Sequence, residues 1–305
     1  MASSVYKAAD FRRPPVASVI ISTYNWPQAL RVCLDSYRRQ NTLDFEIVVA
    51  DDGSRPDTAA LVAQAQVGFP VAITHVWQHD EGYRLAAIRN KAISAASGEY
   101  LIFTDGDCFV LPDFVRTHLA LREAGMFVSG RRSWLSRRAS NDIVASKQAP
   151  SRSRLGWLAA GLTAACNRPL EFVSAPSRAR FRYTKADSYD RAQTCNLAVS
   201  RADCLAVGGF DERYVGHGLE DSDFVVRLLR AGVRRKLGSH AAVVLHLHHE
   251  RRKRPSESPN AALFSELLQT DRWISHAGLS SSLNMVWDGR RKGRASTPGV
   301  REDVG

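Results

Sequence analysis

The sequence predicts an α/β protein with a mostly parallel sheet and helices on both of its faces. Apolar, β-branched segments alternate with segments of helical periodicity through the first 125 residues. The intervening stretches are long enough for β-α-β crossovers, which join parallel strands. Polar clusters follow three of the strands. Because ligands bind beyond the carboxyl ends of strands in such sheets, these clusters predict a binding edge.

The elements are expected in a regular order. Strands are predicted at 16–22, 45–50, 71–77 and 99–104, and helices at 26–39, 56–66, 83–97 and 112–123. Ordered structure is expected again from 194–200, followed by helices at 201–207 and 219–231, a strand at 241–248 and a helix at 261–273. Periodicity fades over 130–191, where the apolar stretch 155–166 is expected to form either a short helix on the core or a flap.

Composition narrows the classes of protein that fit. The chain has 305 residues, of which 44% are hydrophobic, and no apolar run reaches the ~20 residues of a membrane span. The first fifteen residues lack the apolar core of a secretory signal, so a cytoplasmic location is expected. Five cysteines without a Cys-x-x-Cys pair indicate reduced thiols rather than a disulfide framework.

The net charge of +11 is unevenly placed along the chain. Residues 129–191 hold thirteen Lys or Arg against four acids, and further basic clusters lie at 251–254 and 290–292. Such surfaces attract phosphates of nucleic acid, anionic lipid or a phosphorylated glycan. No RNA-binding signature or zinc-finger spacing is present, so we expect no nucleic-acid partner. Peripheral contact with an anionic inner membrane face is an open alternative to a merely solubilising role.

Asp105 and Asp107 stand one residue apart at the end of Tyr100-Leu-Ile-Phe-Thr-Asp-Gly-Asp-Cys108. Residues i and i+2 of an extended chain point the same way, so both carboxylates are expected to face one small volume. Two like charges that close repel each other unless a cation lies nearby, and a hard divalent metal suits oxygen ligands. The alternative is a solvated turn, because Asp and Gly are ordinary turn residues.

Two further clusters carry ionisable groups. Glu220 and Asp221 are expected in the first turn of a helix, where the macrodipole favours carboxylates, so capping alone accounts for them. The glycine-rich approach Gly216-His-Gly218 indicates more, because it lets the backbone come close to a ligand. His246-Leu-His-His249 ends a predicted strand, and a histidine there is able to complete a metal shell with Asp107.

Taken in order, six segments resemble family 2 glycosyltransferases of the GT-A fold, with particular likeness to bacterial chondroitin polymerase and the galactosyltransferase-like C-terminal region of chondroitin synthases. The segments are Val19-Ile-Ile-Ser-Thr-Tyr-Asn25, Val48-Val-Ala-Asp-Asp-Gly-Ser54, His79-Asp-Glu-Gly-Tyr-Arg-Leu-Ala-Ala-Ile-Arg-Asn90, Thr104-Asp-Gly-Asp107, Gly216-His-Gly-Leu-Glu-Asp221 and Val244-Leu-His-Leu-His-His249. The resemblance covers roughly residues 16–250. His217 departs from the family, which usually has a Trp there that supports the acceptor sugar.

The resemblance implies a role for each matched residue. Asp107 and His246 are the expected ligands of Mn²⁺, or of Mg²⁺. Asp221 is expected to act as the general base, with Glu220 holding sugar hydroxyls. Nine residues are expected to bind the nucleotide-sugar donor: Ser22, Thr23, Tyr24, Asn25, Asp52 at the uracil, Arg84, Arg89, Asn90 and Asp105.

The resemblance also implies a division of the chain. Residues 1–15 are expected as an extension, 16–250 as the GT-A domain and 251–305 as a basic extension, disordered from about residue 288. Within the domain we expect a nucleotide-binding half (16–125), a basic insertion (130–191) and an acceptor and catalytic half (192–250).

The implied activity is metal-dependent, inverting transfer of a hexose or N-acetylhexosamine from a UDP-sugar to a glycan or lipid-linked glycan. Such a reaction belongs to lipopolysaccharide or surface polysaccharide synthesis. Two other classes stay open: a sugar-nucleotide nucleotidyltransferase and a non-catalytic protein that binds glycans or phosphate on the same fold. The loop at 22–26 lacks the Gly-rich, basic sequence expected of a nucleotidyltransferase.

Overall fold

A computed structural model of the chain describes residues 13–250 and 258–279. Its strands are β1 (Ala17–Thr23), β2 (Phe45–Asp51), β3 (Ile73–Trp77), β4 (Tyr100–Asp105), β5 (Cys108–Val110), β6 (Met126–Ser129), β7 (Arg131–Trp134), β8 (Asn196–Ser200), β9 (Arg234–Leu237) and β10 (Val243–His246). Its helices are α1 (Pro27–Arg38), α2 (Pro56–Gln66), α3 (Leu85–Ala95), α4 (Phe114–Leu121), α5 (Arg137–Ser146), α6 (Arg154–Leu162), α7 (Arg201–Ala206), α8 (Glu220–Arg230) and α9 (Pro259–Leu268), with 3₁₀ turns at Pro169–Phe172 and Arg180–Tyr183.

The main sheet confirms the predicted α/β class. Its seven strands run in the order β3-β2-β1-β4-β8-β6-β9. The first four are parallel, β8 is antiparallel to β4 and β6, and β6 is parallel to β9. Because β1, β2 and β4 are parallel neighbours, the polar residues that follow them meet at one edge.

A second, three-stranded sheet, in the order β5-β10-β7, was not predicted. It places Trp134 beside His246, and His246 beside Cys108, in register. Strands of three or four residues are too short to show an alternating pattern, and β7 reads Arg-Arg-Ser-Trp. These strands form because they pair with one another across long sequence separations.

Helices cover both faces of the main sheet, as expected. Helices α1, α2 and α4 pack on one face through an apolar cluster that includes Leu30, Leu61 and Phe114. On the other face, α3, α7 and α8 pack through a cluster that includes Ile88 and Phe224. A third cluster joins the small sheet to α5 and α6.

The basic segment 130–191 is more ordered than its weak periodicity suggests. Helix α6 packs on the core through Trp157, whose ring lies against Phe109 and Phe172. Of the two forms expected for 155–166, the structure therefore shows the short core-packed helix. The division into a nucleotide-binding half, a basic insertion and a catalytic half stays a prediction.

Part of the C-terminal extension is built into the fold. Helix α9 begins two residues before the predicted helix 261–273 and ends at Leu268. Its Asn260 amide donates to the Gly218 carbonyl at 2.9 Å. The backbone N–H of Leu279 donates to the carbonyl of Gly208. The predicted disordered tail and residues 1–12 lie outside the described residues. Among the helices that are described, none combines the length and hydrophobicity needed to cross a bilayer.

Candidate active site

A cavity of about 770 Å³ opens at the carboxyl ends of β1 and β4, between the start of α8 and the ends of β7 and β10. Residues from eight separate segments of the chain line it. Ten of the thirteen predicted site residues line it: Ser22, Thr23, Tyr24, Asp52, Arg89, Asp105, Asp107, Glu220, Asp221 and His246.

Asp52 is held rigidly at one end of the cavity. Its two carboxylate oxygens accept hydrogen bonds from the Gln78 amide (2.6 Å) and the Arg84 backbone N–H (2.9 Å). Burial raises the pKa of Asp52, although these hydrogen bonds oppose the shift. Gly53 has a φ of +89°, and a Cβ there would lie 2.5 Å from the Cα of Asp80. Only glycine therefore allows this tight turn after β2.

Asp105, Asp107 and His246 form a compact cluster in which one ligand atom of each lies within 4.8 Å of the others. The Nδ1 of His246 donates to the Leu247 carbonyl at 2.7 Å, which assigns the other ring nitrogen as an acceptor. Burial and then Arg132 lower the pKa of His246 to about 3, so the imidazole is neutral. Its Nε2 lone pair therefore faces the Asp107 carboxylate at 3.3 Å.

Two acceptors that face each other need a cation between them, and this donor set fits a divalent metal. A histidine that donates its second ring nitrogen to a backbone carbonyl is typical of metal ligands. Burial and the charge of Asp107 raise the pKa of Asp105, and burial raises that of Asp107. Mixed carboxylate and imidazole donors suit Mn²⁺ better than Mg²⁺.

Two neighbours of this cluster were not predicted. His249 brings its Nε2 to 3.5 Å from the second oxygen of Asp107, so the carboxylate lies between two imidazoles. The Cys108 thiol lies 3.7 Å from Asp107. Burial and the charges of Asp107 and Asp105 raise the pKa of this thiol well above its usual value, so it donates a hydrogen bond rather than acting as a thiolate.

Arg89 and Glu220 form a buried ion pair beneath the cavity. The Arg89 guanidinium contacts Glu220 Oε1 at 3.3 Å, Asp105 Oδ1 at 3.6 Å and the Ser22 hydroxyl at 3.2 Å. Two carboxylates therefore compensate its charge. The second carboxylate oxygen of Glu220 is buried and has no hydrogen-bond partner among the described residues. It is therefore able to accept a hydrogen bond from a ligand hydroxyl.

Asp221 follows at the first turn of α8, next to Glu220. Its carboxylate accepts hydrogen bonds from the backbone N–H groups of Ser222, at 2.9 Å, and Thr194. Burial, followed by the charge of Glu220, raises the pKa of Asp221 to about 6. A carboxylate in such a position ionises near neutral pH and is a suitable proton acceptor.

The turn that delivers Asp221 has an unusual backbone. Gly216 and Gly218 have φ values of +84° and +99°, and the N-cap residue Leu219 has a φ of +75°. The Asn260 amide bonds the Gly218 carbonyl and so ties α9 to this turn. The His217 ring contacts the Tyr83 ring edge-on, with centroids 5.7 Å apart. His217 is therefore part of an aromatic pair at the wall of the cavity.

Three predicted residues do not line the cavity. The Asn90 amide is buried between Phe210 and Glu212, with which it makes three hydrogen bonds. The Arg84 guanidinium turns outward to pair with Glu81, and only its backbone N–H reaches Asp52. Asn25 accepts a hydrogen bond from the Arg55 backbone N–H at 2.9 Å. None of these three side chains is part of the cavity lining.

Several lining residues were missed by the sequence analysis. Arg132 and Trp134 come from β7, and the guanidinium lies over the Trp134 ring with its carbon 4.6 Å from the ring centroid. One Arg132 nitrogen donates to Gln193 Oε1 at 3.0 Å, and Arg132 makes no ion pair among the described residues. No local signal distinguishes this arginine from the others of the basic segment. Only the pairing of β7 with β10 brings it to the cavity.

Comparisons with known proteins match two parts of the chain to glycosyltransferases. The sequence model described as "Glycosyl transferase family 2" matches residues 18–145, and "N-terminal domain of galactosyltransferase" matches residues 175–250. A chondroitin synthase of Escherichia coli is 27% identical over 230 residues, which are 70% of this chain and 32% of that protein. A validoxylamine A glucosyltransferase of Streptomyces hygroscopicus subsp. jinggangensis is 29% identical over 276 residues, 85% of this chain and 60% of that one.

The fold is also found in solved structures. A structure of GalNAc-T7 with UDP, GalNAc and Mn²⁺ superimposes with a TM-score of 0.58 at 15% identity, covering 84% of this chain and 48% of that one. This likeness confirms the predicted GT-A fold and carries no further conclusion about ligands. The chain spans less than two thirds of the length of these relatives.

Proposed function

We propose that the chain, whose residues 18–145 match glycosyltransferase family 2, transfers a hexose or N-acetylhexosamine from a UDP-sugar to a glycan hydroxyl, with inversion at the anomeric carbon. The observation that carries the proposal is the convergence of Asp52, the Asp105–Asp107–His246 cluster and Asp221 in one cavity. These groups would supply a nucleotide contact, a cation site and a base, which are the three functions that metal-dependent transfer from a sugar nucleotide uses.

Asp105, Asp107 and His246 would hold Mn²⁺ or Mg²⁺, which when bound neutralises the charge that the departing diphosphate develops. Asp52 would accept a hydrogen bond from the uracil, and the polar residues 22–24 would line the nucleotide's path. The unpartnered Glu220 oxygen would accept a hydrogen bond from a sugar hydroxyl. The role of each residue is part of the proposal.

Asp221 would take the proton of the acceptor hydroxyl as that oxygen attacks the anomeric carbon. A sugar hydroxyl is a weak nucleophile, and positioned proton transfer contributes typically ~10²–10⁴ in rate. A single in-line displacement inverts the anomeric centre and needs no protein nucleophile. The acceptor that we favour belongs to a lipopolysaccharide or another surface polysaccharide, which matches the chondroitin synthase among the relatives.

Arg132, rather than the predicted Arg84, would supply positive potential at the diphosphate. Arg84 is paired with Glu81, and Arg89 is compensated by Glu220 and Asp105. We expect Arg132→Gln to lower both sugar transfer and the slow hydrolysis of the donor by about 10–100-fold, the equivalent of one hydrogen bond to a charged group.

The matched control is Arg131→Gln, because the neighbouring Arg131 side chain bonds the Ser239 hydroxyl outside the cavity lining. Both variants are compared by the rate of UDP release with and without acceptor. If Arg132→Gln impairs transfer but leaves donor hydrolysis unchanged, Arg132 serves the acceptor and the assignment is wrong.

The proposed function is tested by incubating the purified chain with a panel of UDP-sugars, Mn²⁺ and glycan acceptors. We expect UDP release that depends on one donor and increases with acceptor. Thermal shifts with each nucleotide sugar identify the donor independently, since a ligand that binds the folded state stabilises it. Stabilisation by a nucleotide sugar without turnover of any donor would indicate the non-catalytic alternative. Pyrophosphate release from a sugar phosphate and UTP would indicate the nucleotidyltransferase.

A further inference from the structure

Helix α6 exposes an apolar face where a surface helix ordinarily carries polar residues. After Arg154 it contains no polar side chain. Trp157 and Ala160 face the core, whereas Leu155 and Leu162, two turns apart on the outer face, are 76% and 90% exposed. Exposed leucines in such an arrangement mark a contact surface more often than chance.

The apolar face continues beyond the helix. Gly161 lies so close to Pro169 that a Cβ there would meet the proline ring at 2.2 Å, so the end of α6 adjoins the turn that carries Leu170. The Leu170 carbonyl contacts His240 Nδ1 at 3.0 Å, and the Phe181 ring lies 6.1 Å from the His240 ring. We name this the outer apolar surface; its exposed members are Leu155, Leu162, Leu170, Val173 and Phe181.

The segment that carries this surface is strongly basic. Residues 151–185 contain seven Lys or Arg and a single acid, Glu171. Glu171 is buried and lies near Arg131, with 3.7 Å between the nearest nitrogen and oxygen. The exposed cations of the segment are Arg152, Arg168, Arg178, Arg180 and Lys185.

We infer that the outer apolar surface docks this protein on an anionic lipid bilayer. Leucine and phenylalanine side chains insert at the boundary of headgroups and acyl chains, while a surrounding rim of arginines pairs with lipid phosphates. A second copy of the chain fits poorly, because two such basic rims would repel each other across the contact. Apolar insertion and basic charge together meet the two-signal requirement for stable peripheral binding.

The position of the surface connects it to the cavity. The Asn167 backbone N–H donates to the Trp134 carbonyl at 3.0 Å, and the Trp134 backbone N–H donates to Asn167 Oδ1 at 2.9 Å. Trp134 lines the cavity, and Arg168 and Leu170 follow Asn167 directly in the chain. A docked molecule would hold its cavity beside the bilayer, where a lipid-linked acceptor would present its sugar. This last step rests on the proposed function, whereas docking itself does not.

The test is sedimentation of the full-length chain with phosphatidylcholine vesicles and with vesicles containing about one third phosphatidylglycerol. We expect binding to the anionic vesicles only. The affinity of the double variant Leu162→Gln with Leu170→Gln for the anionic vesicles should be lower by about tenfold or more, because two inserted apolar side chains are lost. The matched control is Leu43→Gln with Val67→Gln, which removes two exposed apolar side chains elsewhere and should bind as the unmodified chain does.

Full vesicle binding by the Leu162→Gln, Leu170→Gln variant would overturn the inference and assign binding to another basic segment. The absence of vesicle binding by the unmodified chain would also overturn it. Self-association of the unmodified chain that this variant abolishes, without any vesicle binding, would show a protein interface instead. A chain that binds anionic vesicles but turns over no UDP-sugar would contradict the proposed function alone.

Discussion

Asp221→Asn is expected to lower sugar transfer by about 10²–10⁴-fold while leaving UDP affinity within a factor of a few. The amide keeps the shape of the carboxylate and an oxygen that accepts from the Ser222 backbone N–H, but it cannot accept a proton. Initial rates of UDP release and calorimetric titration with UDP separate the two effects. Ser222→Ala is the matched control, because it removes the neighbouring side chain and keeps the backbone N–H that bonds Asp221.

The same assignment predicts a pH dependence for the unmodified enzyme. Burial and Glu220 place the pKa of Asp221 at about 6, and the base works only when ionised. The rate at low substrate should therefore fall about tenfold per pH unit below that value and level off above it. If Asp221→Asn retained more than half of the rate, or shared the pH profile of the unmodified enzyme, the base would be another group.

Asp107→Ala and His246→Ala are expected to weaken Mn²⁺ binding by about 100-fold or more, because loss of a direct ligand exceeds the 10–100-fold cost of losing its supporting contacts. In both cases the loss leaves the remaining cluster with fewer donors within reach of one ion. Mn²⁺ binding is measured by calorimetry or by the electron paramagnetic resonance signal of free Mn²⁺, so the result does not depend on activity.

His248→Ala is the matched control for the metal site. His248 is two residues from His246 and does not line the cavity, and its backbone N–H bonds the Ser140 hydroxyl. Its removal should leave Mn²⁺ affinity unchanged. Chelation with EDTA should stop transfer, and added Mn²⁺ should restore it. Equal Mn²⁺ binding by the Asp107→Ala variant, or full activity in EDTA, would remove the metal from the proposal.

The long elements are predictable from the sequence because their signals are local. Helix α2 begins at Pro56 and ends at Gln66 as predicted, and the strands that lead to Thr23, Asp51 and Asp105 differ from their predictions by one or two residues. Strands β5, β6, β7 and β9 were missed. Three or four residues carry no readable alternation, and their stability comes from partners about a hundred positions away.

The site residues also fall into those that the sequence predicted and those that only contacts between distant segments bring together. Asp52, Asp105 and Asp107 were predicted at one edge because each follows a strand of the parallel sheet. For Asp221 the local pattern indicated only the first turn of a helix, and its place in the site was implied by the family resemblance. Asn90 was assigned to the donor by its motif, but the rotation of α3 turns its amide toward Phe210. Arg132 and Trp134 reach the cavity only through the pairing of β7 with β10.

By itself, the sequence determined the α/β class, the order of the helices and long strands, and the acidic residues at the ends of those strands. These follow from periodicity and turn chemistry, which act over a few residues. Only the tertiary structure decided which basic and aromatic side chains complete the cavity, and which face of α6 stays outside. Those outcomes depend on contacts between segments far apart in the chain, whose geometry no local pattern encodes.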